Sequence, residues 1–140
     1  MTASGRAQIL LVEDSLVLAQ RMVEMMSEEP AIGDITVVRK ESTASAELNG
    51  RRFDIVILDL CLEQGTGFGV LRGISTMHQK PRIVVVLTNH VLPEYQAAAL
   101  SLGATHFLDK AHDFVLIPAI VRAMLNVEAA SIPARRAAHA

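Results

Sequence analysis

The chain holds a single cysteine, Cys61, and no tryptophan. One thiol excludes an intramolecular disulfide, so a packed core must hold the fold, and a reducing compartment such as the cytoplasm is expected. Long hydrophobic runs are also missing: none approaches the ~18 residues of a membrane span, and Met1 to Arg6 lacks the apolar segment of a secretory leader. A soluble chain with no membrane partner follows. There is no excess of positive charge, since 13 Lys and Arg stand against 15 Asp and Glu for a formal net charge of -2. Without a strong positive field, no direct nucleic-acid partner is expected. Repeats and low-complexity blocks are absent as well.

What is present suits one domain. The 140 residues are 51% apolar, and a chain of this size buries ~70% of its unfolded surface without needing staples. One domain is expected over 1-127, followed by a flexible, alanine-rich tail over 128-140.

Short apolar or β-branched runs at Gln8 to Val12, Ile35 to Arg39, Phe53 to Leu58, Ile83 to Leu87 and Thr105 to Leu108 predict five strands. The third and fourth do not alternate, as suits strands buried on both faces. Helical spacing links Leu16, Ala19, Val23 and Met26, then Val70, Ile74 and Met77. Pro93 opens a further helix that Gly103 ends in a left-handed cap. The stripe Phe114, Ile117, Val121 and Met124 predicts a last helix starting near Ile117, with Pro118 in its first turn. Strands alternating with helices predict an α/β fold: a single doubly wound, five-stranded parallel sheet with helices on both faces. Ligands of such sheets sit beyond the carboxyl ends of the strands.

Those ends carry polar groups. Glu13 and Asp14 follow the first strand, Asp59 the third, Thr88 the fourth, and Asp109 and Lys110 the fifth. Crowded carboxylates repel one another, and an all-oxygen set suits Mg2+, so Glu13, Asp14 and Asp59 are expected to form a metal cup. The ammonium of Lys110 and the hydroxyl of Thr88 could neutralise the oxygens of a phosphoryl group, and Asp59 is the candidate nucleophile, giving an aspartyl phosphate.

These residues resemble the receiver domain of two-component response regulators, the CheY-like family, over roughly Gln8 to Val127. The matching stretches are Ile9 to Ser15, Phe53 to Leu60 with Gly67 eight residues past Asp59, Val86 to Thr88, Leu102 to Ala104, and Phe107 to Lys110. The resemblance implies strand order 2-1-3-4-5 and a phosphoryl group passed to Asp59 by a histidine kinase or a histidine phosphotransfer protein. It implies Mg2+ held by Glu13, Asp14, Asp59 and the carbonyl of Cys61, with Lys110 and Thr88 on the phosphoryl oxygens. It also implies a switch through Thr88 and Phe107 that reshapes the face of the fourth helix, fifth strand and fifth helix toward a downstream protein. With little chain after the fifth helix, a free-standing phosphoacceptor switch rather than an enzyme is expected; the alternative is an interaction module that never uses phosphate. A phosphohydrolase is disfavoured, because Asp59-Leu60-Cys61 lacks the second aspartate of a D-x-D motif.

Two positions depart from the family. Glu63 stands where proline is frequent, and Ala111 follows Lys110 where proline, through a cis bond, is usual. Cys61 and His90 occupy positions where receivers vary. Plainer readings apply elsewhere: Gly65 to Gly69 as a turn into a helix, the scattered histidines as surface groups with no zinc site, Met22, Met25 and Met26 as core, and the thiol of Cys61 as packing. Val91, Leu92 and Tyr95, if exposed beside Thr88, form the expected partner face.

Overall fold

The computed structural model describes residues 6–126. The expected domain limit at 127/128 and the expected tail lie outside the described residues. Five parallel strands, β1 (Ala7–Val12), β2 (Ile32–Val38), β3 (Ile55–Leu58), β4 (Ile83–Thr88) and β5 (His106–Asp109), form one sheet in the order β2-β1-β3-β4-β5. The helices α1 (Leu16–Met26), α2 (Glu41–Gly50), α3 (Gly67–Ser75) and α4 (Pro93–Ser101) connect them.

Successive side chains of a strand point to opposite faces, and β1 uses this to build two cores. Ile9 and Leu11 join Ala19, Met22 and Met26 of α1 with Ile117 and Val121, while Leu10 and Val12 join Ala44, Leu48, Val70, Leu71 and Ile74 beneath α2 and α3. Every residue of β3 and β4 is buried, which is why neither alternates. Each Leu, Ile or Val so buried contributes about 1.5–3 kcal/mol of transfer free energy.

Some boundaries differ from expectation. Strand β2 begins at Ile32 rather than Ile35, because an edge strand with a half-exposed face tolerates Gly33 and Asp34. Phe53 is core but precedes β3, since Asp54 accepts the Gln8 N–H in its side chain and the Ile83 N–H in its carbonyl. The buried stripe of α1 is Ala19, Met22 and Met26; Leu16 is 58% exposed. The predicted fifth helix comes in three pieces: α5 (Lys110–Asp113), a 3-10 turn (Phe114–Leu116) and helical residues 117–126 with Pro118 in the first turn. Gly103 has φ +107, as the predicted left-handed cap requires.

No helix among the described residues is long and apolar enough to cross a membrane.

Candidate functional site

The strand order reverses between β1 and β3, and both strands end at the same edge of the sheet. Main-chain bonds carry the chain just past each end: Glu13 donates to the Val38 carbonyl at 2.9 Å and Asp59 to the Val12 carbonyl at 3.1 Å. Glu13 and Asp59 are thereby set side by side, only 2% and 7% exposed. From the end of β5, Lys110, also 7% exposed, reaches both: its Nζ lies 2.6 Å from Glu13 Oε1 and 2.8 Å from Asp59 Oδ2. The other oxygens are held by main chain, as Ser15 N–H donates to Glu13 Oε2 at 3.0 Å and Cys61 N–H to Asp59 Oδ1 at 3.2 Å.

The expected metal cup is therefore not assembled as three converging carboxylates. Among the described residues no three His, Cys, Asp or Glu side chains are grouped as a metal site, and the Lys110 ammonium bridges Glu13 and Asp59. Asp14 is half-buried beside them, and its carbonyl accepts from Arg39 Nε at 3.3 Å. The donor set still fits a hard divalent cation. Two buried carboxyl groups face one ammonium, Asp14 stands beside them, and every candidate ligand is oxygen.

Thr88 is wholly buried, and its Oγ1 accepts the His90 N–H at 3.2 Å. Phe107 pairs with Val86, so Thr88, two residues on, points to the same face as Phe107. Tyr95 packs on that face, its ring 5.8 Å from Phe68 and edge-on to it. The expected partner face is thus corrected in part: Val91 and Leu92 are each 47% exposed, but Tyr95 is half-buried by Phe68. Cys61 is corrected as well. Its thiol is exposed rather than packed, and its main chain is the part engaged with Asp59. Local burial, then Asp59 and Asp14, push that thiol's pKa up, leaving a poor nucleophile.

Both departures from the family pattern have local partners. Glu63 faces Arg39 at 3.7 Å in an exposed pair of little energetic weight. The Lys110–Ala111 bond is trans, and Ala111 donates to Asp109 Oδ1 the N–H that proline lacks, which caps α5. Arg39 and Glu41 are the site-edge residues the sequence reading missed; no motif marks either, because their contacts come from other elements.

Burial raises the pKa of Glu13 above 4.5, outweighing the hydrogen bonds from Lys110 and Ser15. Burial pulls Lys110 downward, but its hydrogen bonds to Asp59 and Glu13 prevail and hold it above 10.5. A raised carboxyl pKa means the folded state holds that proton more tightly than the unfolded chain. Glu13 therefore favours folding below pH 4.5, and the contribution is lost as pH rises through the folded value. Glutamine mimics the protonated acid, so in EDTA the stability of Glu13→Gln relative to wild type should increase from acid to neutral pH. Urea titrations at several pH values check this, and a flat difference would contradict the burial effect.

Residues 9–122 match the sequence profile of the family described as Response regulator receiver domain. The chain is 28% identical over 110 residues to protein-glutamate methylesterase/protein-glutamine glutaminase 5 of Myxococcus xanthus, covering 79% of this chain and 32% of that protein. It is 30% identical over 102 residues to the transcriptional regulatory protein CitB of Klebsiella pneumoniae, covering 72% of this chain and 43% of that protein. The chain spans about a third of the length of the curated relatives it matches. The Mn(2+)-bound form of response regulator Rcp1 is similar at TM-score 0.73 and 27% identity, covering 81% of this chain and 91% of that one. Profile, sheet order and relatives agree that the chain belongs to the response regulator receiver domain family of two-component signalling.

Proposed function

We propose that this receiver is a phosphoacceptor switch in which Asp59 takes a phosphoryl group from a histidine kinase or a histidine phosphotransfer protein. The observation that carries the reading is the Lys110 ammonium bridging Glu13 and Asp59 at the end of β3. It places a cation against the nearly buried acceptor carboxyl, where phosphoryl charge would develop.

Asp59 Oδ1 is the attacking oxygen, since it accepts only the 3.2 Å bond from Cys61 whereas Oδ2 is held by Lys110 at 2.8 Å. A lone pair of Oδ1 forms the new O–P bond, the P–N bond of the phosphohistidine breaks, and its electron pair leaves on the imidazole nitrogen, which takes a proton from solvent. Lys110 then pairs with a phosphoryl oxygen. Mg2+, held by Asp14, Asp59 and the Cys61 carbonyl with Glu13 nearby, would supply the remaining charge neutralisation. Thr88 accepts a hydrogen bond from His90, and its hydroxyl proton remains available to donate to the phosphoryl group. A shift of Thr88 toward the phosphate would open space for the Phe107 ring on the same face, moving the population toward a form that α4, β5 and the last helix present to a partner. Output on the same chain or on a separate protein is compatible with this switch.

Incubation with acetyl phosphate and Mg2+ should add one phosphoryl group by intact mass, with P–O cleavage and release of acetate. EDTA should abolish the gain. No gain from acetyl phosphate or from any phosphohistidine donor would overturn the reading and favour an interaction module that works without phosphate.

A further inference from the structure

Helix α3 starts without a carboxylate of its own. Its N-cap is Thr66, whose Oγ1 accepts the Gly69 N–H at 3.1 Å. A capping box would complete this with a Glu or Gln at the third helical position, reaching back to the N-cap N–H. That position is Gly69, and the acceptor comes instead from another helix: Glu41, in the first turn of α2, takes the Thr66 N–H on Oε1 at 2.9 Å. The Glu41 main-chain N–H also donates to the Gln64 carbonyl at 3.1 Å.

Two glycines make room for this arrangement. Any Cβ at Gly69 would overlap the Glu41 carboxylate, and one at Gly65, already at φ +85, would overlap the Glu41 Cβ. Gly65 is thus required by its own backbone and by the Glu41 Cβ, whereas a side chain at Gly69 would displace the Glu41 carboxylate from Thr66.

The clamped segment leads back to the acceptor. Thr66 pairs with Cys61 in an isolated antiparallel bridge, Gly67 N–H donates to the Leu60 carbonyl at 2.9 Å, and Cys61 N–H donates to Asp59 Oδ1 at 3.2 Å. We infer that Glu41 is a positioning residue: by tying α2 to Thr66 it sets the Cys61 main chain, and with it the affinity of the Asp59 site for a divalent cation. The inference rests on the phosphoacceptor reading for the role of the Cys61 carbonyl. Glu41 itself touches neither phosphate nor cation.

The test is Mg2+ affinity of the full chain, followed by amide NMR without any phosphoryl donor. Glu41→Ala should weaken Mg2+ binding roughly three- to tenfold, the size of one ordinary hydrogen bond, and speed hydrogen exchange at the Thr66 amide. Glu41→Gln keeps an oxygen acceptor and should stay within about twofold of wild type. Adding Gly69→Glu to Glu41→Ala rebuilds a capping box inside α3 without the tie to α2. Thr66 protection should return while Mg2+ affinity stays low.

Wild-type affinity in Glu41→Ala would overturn the inference. So would full recovery of affinity in the double variant, which would leave Glu41 as a helix cap only. Failure of phosphoryl uptake by wild type would sink the phosphoacceptor reading without changing these Mg2+ comparisons, so the two failures are distinguishable. Wild-type protein that binds no Mg2+ would overturn both.

Discussion

Asp59→Asn should take up no phosphoryl group from acetyl phosphate under conditions that label wild type, a drop of at least about a hundredfold on losing the nucleophile. The shape of the side chain is preserved. An amide oxygen can still accept the Cys61 N–H that now reaches Oδ1 at 3.2 Å, and Lys110 keeps Glu13 at 2.6 Å. What disappears is the anionic oxygen able to form the O–P bond. If the amide nitrogen faces Lys110, two donors meet, so a loss of about 1 kcal/mol of stability is expected, far short of unfolding. Matching circular dichroism with absent mass gain would therefore separate chemistry from folding. Retained labelling in the variant would move the acceptor elsewhere, with Asp14, half-buried at the same edge, the first place to look.

Most of the sheet was legible because central strands announce themselves. β3 and β4 are buried throughout and read as unbroken apolar runs, and β1 lies between two neighbours. Edges were less legible: β2 alternates loosely and hid its start behind Gly33 and Asp34. Helix α2 offered no stripe at all, since only Ala44 and Leu48 are buried, and no spacing in the sequence marked its residues. The α5 turn was hidden because its cap depends on Ala111 having an N–H to give to Asp109.

The site divides along a similar line. That Glu13, Asp59 and Lys110 would meet was readable, since each follows a strand and parallel strands end together. How they meet was not. The bridge depends on where the Lys110 side chain reaches across two strand ends, and no spacing encodes that. Glu41 was hidden for a stronger reason: its partners Thr66 and Gly69 lie on another helix, and the space it fills appears in the sequence only as missing side chains.

Removing the bridging ammonium should have the largest effect on stability. Lys110→Met leaves Glu13 and Asp59, both more than nine-tenths buried, without their shared cation. Breaking a buried pair from one side costs about 3–5 kcal/mol, because the stranded charge keeps its desolvation penalty. That is a large part of the 5–15 kcal/mol that typically holds a domain together. The deficit should depend on pH at both ends. Burial already raises the Glu13 pKa and Lys110 lowers it, so without the ammonium Glu13 binds its proton still more tightly in the folded variant, which recovers stability as the medium becomes acidic. In wild type the raised Lys110 pKa gives a contribution fully present below pH 10.5 and lost as pH rises through the folded value. The gap between the two proteins should therefore be widest at neutral pH and close toward either extreme. Mg2+ should stabilise the variant more than wild type, since it supplies positive charge to acids that have lost theirs. If Lys110→Met alone proves too unstable to measure, Glu13→Gln added to it removes one of the two stranded charges and should restore a measurable transition. A single variant as stable as wild type at neutral pH would mean that solvent, not Lys110, compensates Glu13 and Asp59, and the electrostatic role given to the bridging ammonium would be lost.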